Sequence, residues 1–142
     1  MNNAHGEYKL VLSGNIMFTV AMGPWNAECV DNFMQDYYQM ILPLHGSRWG
    51  DLIILHGESL LIPAAEHLLI KAISISCSQG LSDVALVLSN SLVQKSAEAQ
   101  FLKIYTPSGA NFRLFEHEQE ALDWLQQQGL RCDNTEILRK LA

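Results

Sequence analysis

The chain has 142 residues, of which 49% are hydrophobic and 17% are charged. This length and composition are typical of one compact globular domain and exclude a disordered chain. The formal net charge of −6, with only nine Lys and Arg residues, argues against nucleic-acid binding, because contacts to phosphates require clustered basic side chains.

The first elements predicted along the chain are a hairpin and a helix. Two strand-like runs, 7–12 and 16–22, flank a Gly-Asn turn, which indicates an antiparallel hairpin. Asn26 is a suitable N-cap for a helix over about 26–42, whose apolar residues fall on one side. Such an amphipathic helix is expected to lie on a sheet.

The next run, DLIIL at 51–55, is continuously apolar after its first residue, as expected for a strand buried on both faces. Pro63 suits the first turn of a second helix, and Gly80 suits its end. The remaining patterns predict a strand at 82–89, a helix at about 91–105, a strand at 111–116, a helix at 118–129 and a short helical segment from Asn134.

Strands joined through a helix are expected to be parallel. The element order therefore predicts an α/β fold: a single domain with a mixed five-stranded sheet, in which an N-terminal antiparallel hairpin precedes parallel β-α units. The start of the chain, MNNAHGEYKL, shows no signal peptide, and no run reaches the ~20 apolar residues of a membrane helix. We expect no membrane insertion. Three cysteines without CxxC spacing fit a reducing compartment, so we expect a cytoplasmic location.

This order of elements resembles the STAS fold (sulfate transporter and anti-sigma factor antagonist), specifically its SpoIIAA-like branch. The local match is strongest in FRLFEHEQEALDWL, 112–125, which is similar to the last strand and helix of those proteins. The resemblance implies one SpoIIAA-like domain over 1–142, with a core of about 7–129 and a C-terminal extension at 130–142. It also implies a non-catalytic regulatory or protein-interaction domain.

In anti-sigma factor antagonists of this fold, a partner kinase phosphorylates a serine at the start of the second helix, within an Asp-Ser-(Ser/Thr)-Gly type motif. The corresponding segment here is HGESLLIP, 56–63, in which Ser59 is the only hydroxyl side chain. The resemblance therefore makes Ser59 the candidate phosphoacceptor. The motif is degenerate, since no Asp precedes Ser59 directly, no Gly follows it and Glu58 would repel a phosphate. A turn or capping role is the alternative.

Sequence motifs for catalysis or metal binding are weak. Ser59 lacks the second glycine of a Gly-x-Ser-x-Gly elbow, and catalysis would require His56 or His67 within hydrogen-bonding reach of its hydroxyl. We therefore expect no enzyme activity. We also expect no metal or other cofactor, because the histidines lack the spacing that places two ligands on one helix face: His5, His45, His56, His67 and His117.

The second helix carries an apolar arc of roughly 220°, wider than the ~100° that packing on one sheet face requires. The polar strip opposite is narrow and consists of His67, Lys71, Ser74 and Ser78. Either neighbouring helices cover both flanks of the arc, or part of it is exposed to a protein partner, for which a second copy in a homodimer is the simplest choice. The candidate interface residues are Ile62, Leu69, Ile70, Ile73, Cys77 and, in a connecting segment, Trp49.

A second class of function is open to the same helix. Its apolar face could line a pocket for a small apolar or anionic, lipid-like ligand. A cavity between the helix and the sheet would favour this alternative, whereas a solid core would count against it.

Overall fold

The computed structural model describes residues 7–57, 61–88, 94–134 and 136–141. Within these ranges one sheet has the strand order β1-β2-β3-β4-β5. The β1–β2 pair is antiparallel and the other pairs are parallel, which confirms the predicted α/β fold with a mixed five-stranded sheet. The strands are β1 (Glu7–Ser13), β2 (Ile16–Met22), β3 (Trp49–His56), β4 (Leu81–Leu88) and β5 (Asn111–Phe115).

The helices cover both faces of the sheet. Because β2 to β5 are adjacent in chain order, right-handed crossovers place each connecting helix on the same face. One core therefore lies under α1, α2 and α3, and a second core lies under α4 and α5. The described helices are α1 (Ala27–Ile41), α2 (Pro63–Gln79), α3 (Gln94–Tyr105), α4 (Glu118–Gln127) and α5 (Ile137–Leu141), with short 3-10 turns at Leu42–Leu44 and Thr106–Ser108.

Local signals fix the ends of several elements. The side chain of Asn26 accepts a hydrogen bond from the Cys29 N–H (2.9 Å), so its predicted role as the N-cap of α1 is confirmed. Gly80 ends α2 with φ 136°, and a Cβ at this position would lie 2.1 Å from the Ser47 carbonyl oxygen. Only glycine therefore fits at Gly80 without displacement of the backbone.

The strand β3 is longer than predicted. It begins at Trp49, whose side chain is 0% exposed, and it is buried from there to Leu55. The prediction that Trp49 lies in a connecting segment is therefore wrong. The start of this strand is hard to recognise in the sequence, because the polar residues Ser47 and Arg48 directly precede Trp49 and are typical of a loop.

The residues after position 129 pack into the domain. Leu130, Ile137 and Leu141 are buried in the core under α4 and α5. The turn between β1 and β2 holds this segment through Asn15, whose N–H donates to the Arg131 carbonyl (3.0 Å) and whose side-chain oxygen accepts from the Arg131 N–H (2.6 Å). The predicted C-terminal extension is thus in contact with the hairpin and with the second core.

No helix among the described residues is long and apolar enough to cross a membrane.

Candidate functional site beneath the second helix

An apolar cavity of about 40 Å³ lies between α2 and the sheet. Ligand pockets commonly enclose ~300–1,000 Å³, so in this conformation the cavity has room for a small apolar group only. None of its lining residues is charged: Thr19, Ala21, Gly23, Trp25, Phe33, Ile53, Leu55, Leu61, Leu69, Phe101 and Tyr105.

Two sets of hydrogen bonds hold the segment that leads into α2 over this cavity. On one side Leu61 pairs with Trp25 in an isolated parallel bridge, and the Ile62 N–H donates to the Trp25 carbonyl (3.1 Å). On the other side the Gln100 amide of α3 accepts from the Leu61 N–H (2.9 Å) and donates to the Leu61 carbonyl (2.8 Å). Leu61 is therefore fixed between α3 and the segment that precedes α1.

An ion pair extends the contact between α2 and α3. Glu66 accepts from Lys103 (2.8 Å) and from the Gln100 amide (3.0 Å). The hydrogen bonds from Lys103 and then Gln100 lower the pKa of the Glu66 carboxyl. Two charge-assisted contacts to Glu66 therefore hold the start of α2 against α3. The pair of hydrogen bonds between the Gln100 amide and the Leu61 backbone, which we call the Gln100 clamp, adds to them.

A smaller cavity of about 20 Å³ adjoins the first, and Thr19, Phe33, Ile53, Leu69 and Tyr105 line both. Unlike the first cavity, it is also lined by a charged side chain, Asp51, which is 5% exposed. For brevity we call the two spaces the outer cavity (about 40 Å³) and the inner cavity (about 20 Å³).

Asp51 belongs to a buried hydrogen-bonded chain. The Tyr37 hydroxyl of α1 lies 2.7 and 2.9 Å from the two Asp51 carboxylate oxygens, and it accepts from the Trp49 indole N–H (2.9 Å). Burial raises the pKa of Asp51 to about 7, although the hydrogen bond from Tyr37 opposes the shift. Burial, followed by the charge of Asp51, raises the pKa of Tyr37 well above its ordinary value, so the tyrosine remains a donor.

The predicted interface residues separate into buried and accessible positions. Trp49, Leu69 and Ile73 are buried in the core, and this corrects their assignment to a surface. Leu69 and Ile73 lie at the centre of the α2 apolar arc, which packs on the sheet, and Trp49 lies on β3 within the sheet. Ile70 and Cys77 are half-buried, and Ile62 is exposed.

Part of the α2 arc remains exposed. Leu68 is 38% exposed and Ile75 is 50% exposed, and their seven-residue spacing places them on one line along the helix. The predicted polar strip at 67, 71, 74 and 78 is also exposed. One flank of the arc is thus partly covered, at Ile70 and Cys77, whereas the flank at Leu68 and Ile75 is exposed. Contact of this exposed flank with a protein partner stays a prediction.

Residues 58–60, including the candidate phosphoacceptor Ser59, lie outside the described residues. Phosphorylation of Ser59, and its approach to His56 or His67, therefore stay predictions. His56 is half-buried at the end of β3, and His67 is exposed on α2. In the described ranges, no three His, Cys, Asp or Glu side chains are grouped so that they could hold a metal ion.

The sequence prediction missed Asp51, Tyr37 and Gln100. A signal for Asp51 was present, because a carboxylate at the start of an otherwise apolar strand is unusual inside a core. Tyr37 looked like any other apolar-face residue of α1. Nothing in the local pattern around Gln100 connects it with Leu61, which is 39 positions away.

The described elements define an α/β domain in which three helices cover one face of a mixed sheet, with cavities under α2. No protein-family model matches the chain, and no curated protein matches it. Among solved structures, it is similar to an uncharacterised protein of the DUF3478 family with a SpoIIAA-like fold from Shewanella loihica PV-4, at a TM-score of 0.61 and 18% sequence identity. The match covers 88% of this chain and 97% of the other. The chain therefore has the SpoIIAA-like fold that its sequence predicts.

Proposed function

We propose that the protein is a non-catalytic, cytoplasmic regulatory domain that binds a protein partner through the exposed side of α2. The observation that carries this proposal is the position of Leu68 and Ile75, which are 38% and 50% exposed. Two helical turns separate them, about 10.5 Å along the axis. Ala64, also exposed, precedes them on the same side of the helix.

The packing of α2 supports a role for these residues outside the core. The helix is anchored by the centre of its apolar arc, where Ala65, Leu69, Ala72 and Ile73 are buried. Single exposed apolar residues are common on protein surfaces, but a line of them on one helix is typical of a helix that contacts another protein. The neighbouring Lys71 and Ser74 would form the polar edge of such an interface.

A paired set of variants tests this proposal. The double change Leu68→Gln and Ile75→Gln removes the apolar line, and the double change His67→Gln and Ser74→Gln is the control on the exposed polar strip. Each protein is used to capture partners from a native host lysate, which are quantified by mass spectrometry. We expect specific partners to be lost with the first pair and retained with the second. Identical partner sets for both pairs would contradict the proposal.

The resemblance to anti-sigma factor antagonists adds a possible mode of control, phosphorylation of Ser59. A phosphate close to the start of α2 would interact favourably with the helix dipole. The test compares wild type with Ser59→Asp in the same capture experiment, with Ser59→Ala as the control for loss of the hydroxyl. Loss of the partner with Asp alone supports a phospho-switch, and equal binding by all three proteins removes it.

The outer cavity favours a second candidate function, the binding of a small apolar ligand under α2. Its lining has no basic side chain, and Asp51 lines the adjoining inner cavity, so the anionic version of this alternative has no counter-charge there. Native mass spectrometry of the purified protein, followed by solvent extraction, would detect a bound compound. Ala21→Val fills the outer cavity and should reduce the bound amount, whereas Ala64→Val on the exposed side of α2 should not. Equal loading of both variants would contradict this candidate.

A further inference from the structure

The inner cavity contains polar atoms that need a hydrogen-bond partner. Thr19 on β2 and Ser76 on α2 both line it and are 2% and 1% exposed. Within the described part of the chain, the Thr19 Oγ1 has no hydrogen-bond partner, and the Ser76 Oγ has none with normal hydrogen-bond geometry, although the Tyr38 hydroxyl lies close to it. A buried hydroxyl without a partner is costly, because its hydrogen bonds to water are lost on folding.

Asp51 provides a third polar group with unused capacity. A carboxylate can accept about four hydrogen bonds, but the two contacts of Asp51 come from one hydroxyl hydrogen of Tyr37. The side chains that line the inner cavity from the helices include no basic group: Phe33, Met34 and Tyr37 from α1, Leu69, Ile73 and Ser76 from α2, and Tyr105 from α3. Apart from Tyr37, none of them donates a hydrogen bond to Asp51 in this structure, so the carboxylate has capacity to accept one from a bound molecule.

The size and chemistry of the inner cavity match one water molecule. Its volume of about 20 Å³ exceeds the ~10–15 Å³ that a water requires, and a buried water needs two to four polar partners. We propose that the inner cavity is a binding site for a single water molecule that donates a hydrogen bond to Asp51 and exchanges hydrogen bonds with the hydroxyls of Thr19 and Ser76. Water fits this set because it both donates and accepts, as the two hydroxyls do.

The contrast with the outer cavity supports this assignment. The outer cavity is larger, but Thr19 supplies its only side-chain hydroxyl apart from that of Tyr105. A water there would find fewer polar partners than in the inner cavity. The proposed water would therefore lie at the inner end, between β3 and α2, and would join the sheet to the helix across a gap that their own side chains do not bridge. This inference is independent of both candidate functions.

Magnetisation transfer from water to protein protons in NMR is the direct test. In a buffer free of ammonium, which could occupy the same space, we expect a long-lived water to give cross-peaks to the backbone amide or side-chain protons of Thr19, Ile73 or Ser76. These cross-peaks should disappear in the variant Thr19→Val, Ser76→Ala and remain in Thr19→Ser, which keeps the hydroxyl. Wild-type protein without such cross-peaks would overturn the proposal, whether or not the variants fold.

The sign of a melting-temperature change gives a second test. If a water satisfies Ser76, Ser76→Ala lowers the melting temperature; if the hydroxyl has no partner, the same change raises it. Ser74→Ala, exposed on the same helix, is the control. The Tyr38 hydroxyl donates a hydrogen bond to the Ala72 carbonyl (3.5 Å). It also lies close to the Ser76 hydroxyl: burial raises the pKa of Tyr38, and the interaction with Ser76 partly opposes that rise. Both alanine changes are therefore repeated in a protein that carries Tyr38→Phe, which removes the Tyr38 hydroxyl. If Ser76→Ala raises the melting temperature of that protein, the proposal is overturned.

Discussion

The substitution Asp51→Asn should make the stability of the protein much less dependent on pH. Burial raises the pKa of Asp51 from 3.8 to about 7. Because the folded protein then holds a proton that the unfolded chain has released, the free energy of unfolding falls as the pH rises between these two values. Each unit of pKa difference corresponds to ~1.4 kcal/mol, so the total loss is about 4 kcal/mol.

The direction follows from the raised pKa of a carboxyl group. The contribution of Asp51 to stability is full well below pH 3.8, where both states are protonated, and it is lost as the pH rises through about 7, above which both are ionised. Asparagine has nearly the same shape and can still accept from Tyr37, but it does not titrate. Relative to wild type, Asp51→Asn should therefore gain about 4 kcal/mol in the free energy of unfolding between pH 4 and pH 8.

Urea denaturation of both proteins at pH 4, 5, 6, 7 and 8 measures this difference. Other titrating groups act equally on wild type and variant, so the difference between the two isolates Asp51. Asp31→Asn, at an exposed position of α1, is the matched control for the removal of one carboxylate charge. A constant difference for Asp51→Asn across the range would show that Asp51 titrates normally in the folded protein, and would refute the reasoning.

Three further changes test other parts of the structure. Tyr37→Phe removes the hydrogen bond to the buried carboxylate and should lower the free energy of unfolding at pH 8 by ~1–3 kcal/mol in urea denaturation, with a smaller loss at pH 4. Gln100→Ala should speed hydrogen exchange at the Leu61 amide, while unchanged exchange would mean that the clamp contributes nothing. Gly80→Ala should lower the free energy of unfolding by ~2 kcal/mol or more, because the new Cβ would lie 2.1 Å from the Ser47 carbonyl oxygen. Gly109→Ala should lower it less, because a Cβ there meets no atom within 4 Å, and equal effects of the two changes in thermal melts would contradict this.

Local patterns in the sequence were sufficient to predict the elements and their approximate limits. Asn26 and Gly80 mark helix ends through interactions within a few residues or through backbone conformation alone, so their roles are visible without a fold. The apolar run that follows Asp51 predicted a strand buried on both faces. The width of the α2 apolar arc likewise indicated that this helix has more apolar surface than the sheet can cover.

The sequence could not show which apolar residues remain exposed. Leu68, Leu69, Ile73 and Ile75 all belong to the same apolar arc, yet Leu69 and Ile73 are buried while Leu68 and Ile75 are accessible. The difference depends on where α1 and α3 lie beside α2, and this position is set by strand order. Of the candidate interface residues on this helix, Leu69 and Ile73 therefore lie at the buried centre of the arc, and Ile70 and Cys77 lie on its half-buried flank.

The sequence by itself determined the element order and the mixed sheet, because hydrophobic periodicity and turn residues are local properties of the chain and helical connections imply parallel strands. The SpoIIAA-like fold was indicated by the resemblance of this element order, and of residues 112–125, to that family. Only the tertiary structure decided the cavities, the pairing of Tyr37 with Asp51 and the clamp between Gln100 and Leu61. These partners lie 14 and 39 positions apart, and their contacts form only when different elements pack together. The raised pKa of Asp51 has the same origin, because desolvation comes from the helices that cover the carboxylate and not from its neighbours in sequence.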